Sequence, residues 1–329
     1  MTIQLYTPQA IYEQGQRANQ EDSIFPAAGK ATAVDQVFLV CDGMGGHEKG
    51  EVASSIVCDS VSSTAAQLLK TPCIFDDNML AEALKMAYDN LDAADELAEG
   101  RMGTTMTFLC LHRGGCLAAH IGDSRVYHLR PKTGEVLYRS RDDSLVQELY
   151  EMGQISYDEM STSPRRNIIL KAMQPHQEER AAATVVHITD ILPDDYFYLC
   201  SDGMLENMDD NDLMDILRSD LSDEQKADKL KYLTAGNSDN HSAYLLHVKD
   251  VVHETNDELL YNDEPEIRDT NKVLNDEQRH TAWKEESADE EENHPTVTAK
   301  KHSRAKMLTV GLIAVFIAAA ALCLLSLII

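Results

Sequence analysis

VFLVCDGMGG, residues Val37 to Gly46, runs five apolar residues straight into Asp42 and a cluster of glycines. A short, continuous apolar run of this kind reads as a strand covered on both faces, and the glycines after it let the backbone turn sharply and approach a ligand closely. The same design recurs at YFYLCSDG, Tyr196 to Gly203, where a second apolar run ends in Asp202 and Gly203. Two strands thus present Asp-Gly at their ends. If those ends are neighbours, two carboxylates share one small site, and like charges that close are tolerated only with protons or metal ions. A metal site is therefore the organising expectation.

Around these strands the pattern alternates. Glu51–Lys70 carries apolar residues at helical spacing (Val52, Ile56, Val57, Val61, Ala65, Leu68), and Asp77–Leu97 repeats the pattern. Thr104–Leu111, Cys116–Ile121, Arg125–Leu129 and Val136–Arg139 read as strands separated by turn-length connections, which predicts an antiparallel meander. A short helix is expected at Leu145–Met152, followed by an irregular, partly basic flap containing Pro164, Arg165 and Arg166. Strands resume at Ala183–Ile188 and Tyr196–Cys200. Helices at Asp209–Leu217 and Glu224–Leu233 precede a closing strand at Ala243–Val248. The fold class predicted is α+β, with two antiparallel sheets in a central sandwich and helix pairs outside, α-β-β-α.

Composition divides the chain into three parts. Residues 1–249 have the apolar periodicity needed to build a core. Residues 250–306 are acidic and lack that periodicity, so they are expected to form a disordered linker. Residues 307–329 contain no charge and would extend roughly 35 Å as a helix, enough to cross a bilayer core of about 30 Å. Lys300, Lys301, Arg304 and Lys306 precede this run directly, and basic residues favour the cytoplasmic side. The expectation is a single-pass C-terminal membrane anchor with the catalytic domain in the cytoplasm. The N-terminus lacks the basic start and apolar run of a secretory signal.

A net charge of −27 argues against nucleic acid as a partner. The seven cysteines are odd in number and never spaced Cys-x-x-Cys, which suits reduced core residues of a cytosolic protein.

Acidic residues recur in turn-like or strand-end contexts: Glu21 and Asp22, Asp42, Asp123 in IGDSR, Asp202 in CSDG, and Asp239 in SDN. An all-oxygen donor set selects hard cations such as Mg²⁺ or Mn²⁺. Two such ions about 4 Å apart can lower the pKa of a shared water and aim it at phosphorus. Arg17 would hold two phosphoryl oxygens with its fork, and the Gly43–Gly46 loop would let a backbone carbonyl reach a metal. Together these parts make a phosphomonoester hydrolase.

Over about residues 10–249 the chain resembles the metal-dependent serine/threonine protein phosphatases of type 2C in their bacterial form. The resemblance rests on ordered motifs: R-x-N-x-E-D (Arg17–Asp22), DGMGGH (Asp42–His47), MGTT (Met102–Thr105), IGDSR (Ile121–Arg125), D-x-S-L-V-Q-E-L (Asp142–Leu149), CSDG (Cys200–Gly203) and SDN (Ser238–Asn240). It implies that Arg17 binds the substrate phosphate, that Glu21 and Asp22 act near or through metal-bound water, and that Asp42 bridges two metals. It also implies that Gly43 contributes its carbonyl and that Asp202 and Asp239 complete the first metal's shell. A third, looser ion would lie near Asp123 and Asp202.

The implied reaction is in-line attack on phosphoserine or phosphothreonine by a hydroxide bridging two Mn²⁺ or Mg²⁺ ions. The implied partners are phosphorylated proteins, including a cognate kinase and its substrates. Two positions depart from the family pattern. Met44 stands where many eukaryotic members carry a His proposed as general acid, leaving that role to a metal-bound water, and Asp143 stands where members often carry His.

Rival readings do less well. Gly43-x-Gly45 suggests a nucleotide-binding fingerprint, but Glu48 occupies the third glycine position. A catalytically inactive phosphoprotein-binding module of the same fold is the other alternative, and the complete ligand set argues against it. His47 and His241 are expected to make turn hydrogen bonds, and Trp283 lies in the acidic linker.

Overall fold

The computed structural model describes residues 1–45, 49–70, 73–95 and 102–253. His47, Trp283, most of the predicted linker and the predicted membrane span lie outside the described residues. Among the described residues no helix is long and apolar enough to cross a membrane.

The chain begins with strands β1 (Thr2–Leu5), β2 (Gln9–Glu13), β3 (Ser23–Phe25), β4 (Val37–Cys41) and the short β5 (Gly43–Met44), followed by helices α1 (Lys49–Leu68) and α2 (Asp77–Ala94). Next come β6 (Gly103–Thr104), β7 (Met106–His112), β8 (Gly115–Ile121), β9 (Arg125–Arg130) and β10 (Glu135–Arg139), then α3 (Leu145–Glu151) and α4 (Tyr157–Thr162). Strands β11 (Thr184–Ile188) and β12 (Tyr196–Cys200) precede a 3₁₀ turn at Asp202–Leu205. Helices α5 (Asp210–Arg218) and α6 (Asp223–Thr234) and strand β13 (His241–Val252) complete the described chain.

These elements form two large antiparallel sheets, one ordered β1-β13-β12-β9-β10 with β2 also on β13, the other β11-β8-β7-β4-β3, and a two-stranded ribbon of β5 and β6. Alternation along the buried strands feeds three cores. Phe38 and Val40 of β4 face Phe197 and Leu199 of β12 between the sheets. Val37, Leu39 and Cys41 point the other way, onto Val57, Val61, Ala83 and Leu91 of α1 and α2. Tyr196, Tyr198 and Cys200 likewise pack outward on Leu213, Leu217 and Leu230 of α5 and α6. Each large apolar side chain buried this way contributes about 1.5–3 kcal/mol, so β4 and β12 must be apolar at every position. The expected α-β-β-α layering is present.

Local signals set the helix ends. Asp76 accepts a hydrogen bond from Met79 N at 2.9 Å to start α2, and Ser144 caps α3 by accepting from Gln147 N at 3.3 Å. Asp209 and Ser222 form capping boxes on α5 and α6.

Several expectations need correction. The predicted four-strand meander is two hairpins in different sheets, β7-β8 and β9-β10, because the chain crosses between sheets at Gly122–Ser124. Val52, predicted on the buried stripe of α1, is 46% exposed. Ala53, Ser54, Cys58 and Ser60 are buried instead, since α1 packs against both α2 and the sheet and small residues admit that approach. Helix α2 ends at Ala94, where Asp95 N bonds Leu91 O, three residues before the predicted Leu97. The flap contains a helix, α4. Strand β13 runs from His241 to Val252, beyond the predicted Ala243–Val248 at both ends, because its last residues pair with β1.

Candidate functional site

Strand register alone gathers the acidic residues. Ser23 pairs with Cys41, so Asp22 stands beside Asp42 at one end of a sheet. Val40 pairs with Thr107 and Met106 with Ile121, which brings Thr105 and Asp123 to the same end. In the other sheet Cys200 pairs with both Arg125 and Ala243, which places Asp202 and the Asp239–Asn240 corner near Asp123. Arg17 and Glu21 lie on the loop from β2 to β3 that passes over this end.

Two glycines are required by close approach. A Cβ on Gly43 would fall 2.2 Å from the Gly50 carbonyl oxygen at the start of α1, and one on Gly203 would fall 2.0 Å from that of Asn240.

Electrostatics confirm that the carboxylates see one another. Burial above all, then the charges of Asp22, Asp202 and Asp123, hold Asp42 well above the usual carboxylate range. Burial pushes Asp22 up to about 7. It raises Asp123 strongly, with Asp202 and Asp142 adding to it, and raises Asp202, with Asp239 adding to it. Glu21 is raised, again chiefly by burial.

One buried oxygen each on Asp22, Asp123 and Asp202 has no hydrogen-bond partner among the described residues. Such groups are costly unless something satisfies them, and a hard divalent cation is the species whose chemistry fits an all-oxygen set. Among the described residues no three His, Cys, Asp or Glu side chains close on a single point. Arg17 Nη2 donates to Asp239 Oδ2 at 2.6 Å, while its Nε and Nη1 have no partner among the described residues.

Around the acids lies a scaffold whose roles the sequence reading missed. Asn240 Oδ1 accepts from Glu21 N at 2.8 Å, and its Nδ2 donates to Gln14 O at 2.8 Å and Asn19 O at 2.9 Å, which pins the Arg17–Asp22 loop. Thr105 N donates to Asp42 O at 2.9 Å and Asp42 N to Thr105 Oγ1 at 3.0 Å. That Oγ1 lies 2.7 Å from Ser124 Oγ, joining the Asp42 and Asp123 turns. Ser201 Oγ donates to Asp22 Oδ2 at 2.9 Å.

Arg125 forks onto Asp142 with two bonds of 2.7 Å. Asp143, at the position that departs from the family pattern, accepts from Gly122 N at 3.2 Å and pairs with Lys171 Nζ at 2.8 Å. The quoted motifs contain most of these residues, but only long-range pairing discloses what each one holds. Met44 sits on β5 beside Gly103, and a Cβ there would meet Met44 Cγ at 3.3 Å. His241 Nδ1 donates to Asp239 O at 3.0 Å, the turn hydrogen bond expected of it.

Comparison with known proteins agrees with this arrangement. Residues 14–234 match the family model described as Protein phosphatase 2C. The chain is 30% identical to the serine/threonine protein phosphatase PstP of Mycobacterium tuberculosis over 210 residues, 61% of this chain. It spans only 37% of that relative's length. Against the serine/threonine phosphatase stp of Listeria welshimeri it is 32% identical, covering 61% of this chain and 79% of the relative. A crystal structure of the PstP catalytic domain in complex with two manganese ions superposes with a TM-score of 0.63 at 28% identity, covering 76% of this chain and all of that one.

Proposed function

This chain belongs to the protein phosphatase 2C family, and from that membership we propose that it hydrolyses phosphoserine and phosphothreonine esters in proteins with Mn²⁺ or Mg²⁺ as cofactor. The observation that carries the reading is the set of mutually repelling carboxylates at one end of the sandwich, with unsatisfied buried oxygens on Asp22, Asp123 and Asp202, next to Arg17.

Asp42, the Gly43 carbonyl, Asp202 and Asp239 would hold two ions, and Asp123 with Asp202 would take a third. Glu21 and Asp22 would act through water on the same ions. Bound there, the metals supply Lewis-acid activation of water and neutralise phosphoryl charge. The Arg17 guanidinium offers a planar fork to two phosphoryl oxygens and so orients the ester. The scaffold of Asn240, Thr105 and Ser201 keeps the acids in place, which is where much of the rate enhancement in phosphoryl transfer originates. Met44 has no proton to give, and water is our candidate for protonating the leaving group.

The test is turnover of p-nitrophenyl phosphate and a phosphothreonine peptide by the full chain with Mn²⁺, with Mg²⁺ and with chelator. Metal-dependent hydrolysis that chelator abolishes is expected. A folded protein that binds phosphoprotein but turns over nothing with either metal would overturn the reading in favour of a binding module.

The uncharged run at residues 307–329, preceded by Lys300, Lys301, Arg304 and Lys306, supports two further parts of the proposal. The chain is anchored in a membrane with its catalytic part on the cytoplasmic side, and its substrates include membrane-bound phosphoproteins. Because every phosphoprotein it acts on must first be modified, a serine/threonine kinase supplies its substrates and is itself a candidate substrate.

A further inference from the structure

Arg165 and Arg166, adjacent on the flap between α3 and β11, are left without a carboxylate by a chain that is rich in them. Most other described arginines are paired with acids, although Arg218 bonds the Pro131 carbonyl instead. Arg125 pairs with Asp142, Arg130 with Asp195, Arg139 with Asp210, Arg141 with Glu148 and Glu151, and Arg180 with Asp89 and Asp92. Arg166 instead bonds the neutral Asn167 side chain at 3.3 Å and the Ser161 carbonyl at 3.2 Å. The Arg165 side chain has no partner among the described residues. Both are exposed, and Ile168 and Leu170, 45% and 49% exposed, follow directly.

The flap's return leg is bonded to both walls of the acidic site. Leu145 N donates to Ile168 O at 2.9 Å and Leu170 N to Asp143 O at 2.7 Å. Lys171 Nζ reaches Asp143 Oδ1 at 2.8 Å. Further on, Thr104 and Met173 exchange backbone bonds of 3.0 and 2.9 Å, and the Thr104 hydroxyl donates to the Asp42 carbonyl at 2.8 Å. The two arginines therefore stand where a leg begins that runs from beside Asp142 to beside Asp42.

A phosphorylated substrate is anionic, and a protein of net charge −27 repels it at long range. An exposed positive pair on the flap can receive an acidic segment with charge-assisted hydrogen bonds. Resting on the phosphatase reading above, we propose that Arg165 and Arg166 form a specificity subsite for acidic side chains flanking the phosphorylated residue, with Ile168 and Leu170 as an apolar seat for the intervening peptide. The preferred substrates are then phosphoserine or phosphothreonine segments with Asp or Glu close by.

Two measurements test this on the full chain. The first is kcat and KM with Mn²⁺ for three phosphothreonine peptides flanked by Glu, Gln or Lys. The second is anisotropy of a fluorescein-labelled Glu-flanked peptide binding in chelator. The Glu-flanked peptide is expected to have the lowest KM, and the double variant Arg165→Gln, Arg166→Gln to raise that KM about fivefold, as two partly exposed ion pairs allow. Turnover of p-nitrophenyl phosphate and KM for the Gln-flanked peptide stay as in wild type, and Arg165→Lys with Arg166→Lys keeps most of the preference. Equal KM for all three peptides in the wild type, or a double variant that loses every substrate alike, overturns the subsite. Arginine-dependent binding of the Glu-flanked peptide with no hydrolysis of any substrate supports the subsite and refutes the phosphatase reading instead.

Discussion

Arg17 Nη2 lies 2.6 Å from Asp239 Oδ2, so the cation assigned to phosphate and an anion assigned to metal neutralise each other. Their side chains are 53% and 24% exposed, and a pair that open is worth only about 0–1 kcal/mol. It can therefore be exchanged for better partners. Asp239→Asn releases the guanidinium and removes a metal ligand. Calorimetry in chelator should find inorganic phosphate bound several-fold more tightly than by wild type, while Mn²⁺-supported turnover falls at least about a hundredfold. Unchanged phosphate affinity would remove Arg17 from its role.

Stability and activity should move in opposite directions at Asp42. Its carboxyl is held high by burial and by Asp22, Asp202 and Asp123, so in chelator Asp42→Asn relieves repulsion and should melt about 3 °C or more above wild type. With Mn²⁺ the order reverses, because an ion that binds only the native state stabilises wild type, and the variant has no turnover. Asp123→Asn should fold normally and retain reduced turnover. Thermal melts with and without Mn²⁺ decide both, and an active Asp42→Asn enzyme would refute the assignment.

Asn240 makes three bonds to the loop that carries Arg17. Asn240→Ala leaves Glu21 N and two carbonyls to find water and should cost about 2 kcal/mol in urea unfolding. Turnover should fall further than that loss of stability explains, since the loop carrying Arg17 is then unpinned. Wild-type kcat in a destabilised variant would limit Asn240 to a structural role.

His112 sets a pH dependence away from the acidic site. It is 6% exposed, its Nδ1 accepts from Gly114 N at 3.0 Å, and burial, with His187 nearby, pushes it down to about 4. Between that value and about 6.5 the unfolded chain binds a proton that the folded chain refuses, so stability rises with pH across this window. Its contribution is complete above about pH 6.5 and is lost on acidification toward 4. Wild type should lose about 2 kcal/mol between pH 7 and 5 from this group. Denaturation at the two pH values checks it: His112→Phe should flatten the slope, and an unchanged slope would contradict the assignment.

Removing residues 307–329 tests the membrane proposal. Turnover of a soluble phosphopeptide should be unchanged, while dephosphorylation of a vesicle-bound phosphoprotein slows, because tethering raises effective concentration. Equal effects on both substrates would count against an anchor.

Much of the architecture is legible in Val37–Cys41 and Tyr196–Cys200, because strands that feed a core on each face must be apolar throughout and then expose the polar residue that follows. The acids were legible for the same reason. What is hidden is where the chain changes layers. Gly122–Asp123–Ser124 has the composition of a hairpin turn, and only the pairing of Arg125 with Cys200 rather than with β8 makes it a crossing between sheets. The supports are hidden too, because Asn240 and Gln14, or Arg125 and Asp142, meet through three-dimensional closure that no local pattern encodes. The departure at Asp143 acquires a physical meaning only through Lys171 and Gly122.

Strand β13 pairs with β1, β2 and β12, and it follows directly from Asp239 and Asn240. During synthesis the amino-terminal strands must therefore wait, unpaired at that edge, until the chain has been made through Val252, since Thr2 pairs with Val252 and Glu13 with His241. Contacts of such separation are slow to form, and domains generally fold as units as they emerge. The last acid and the strand that completes the sheet arrive together, so the acidic cluster is assembled only when the sheet itself closes.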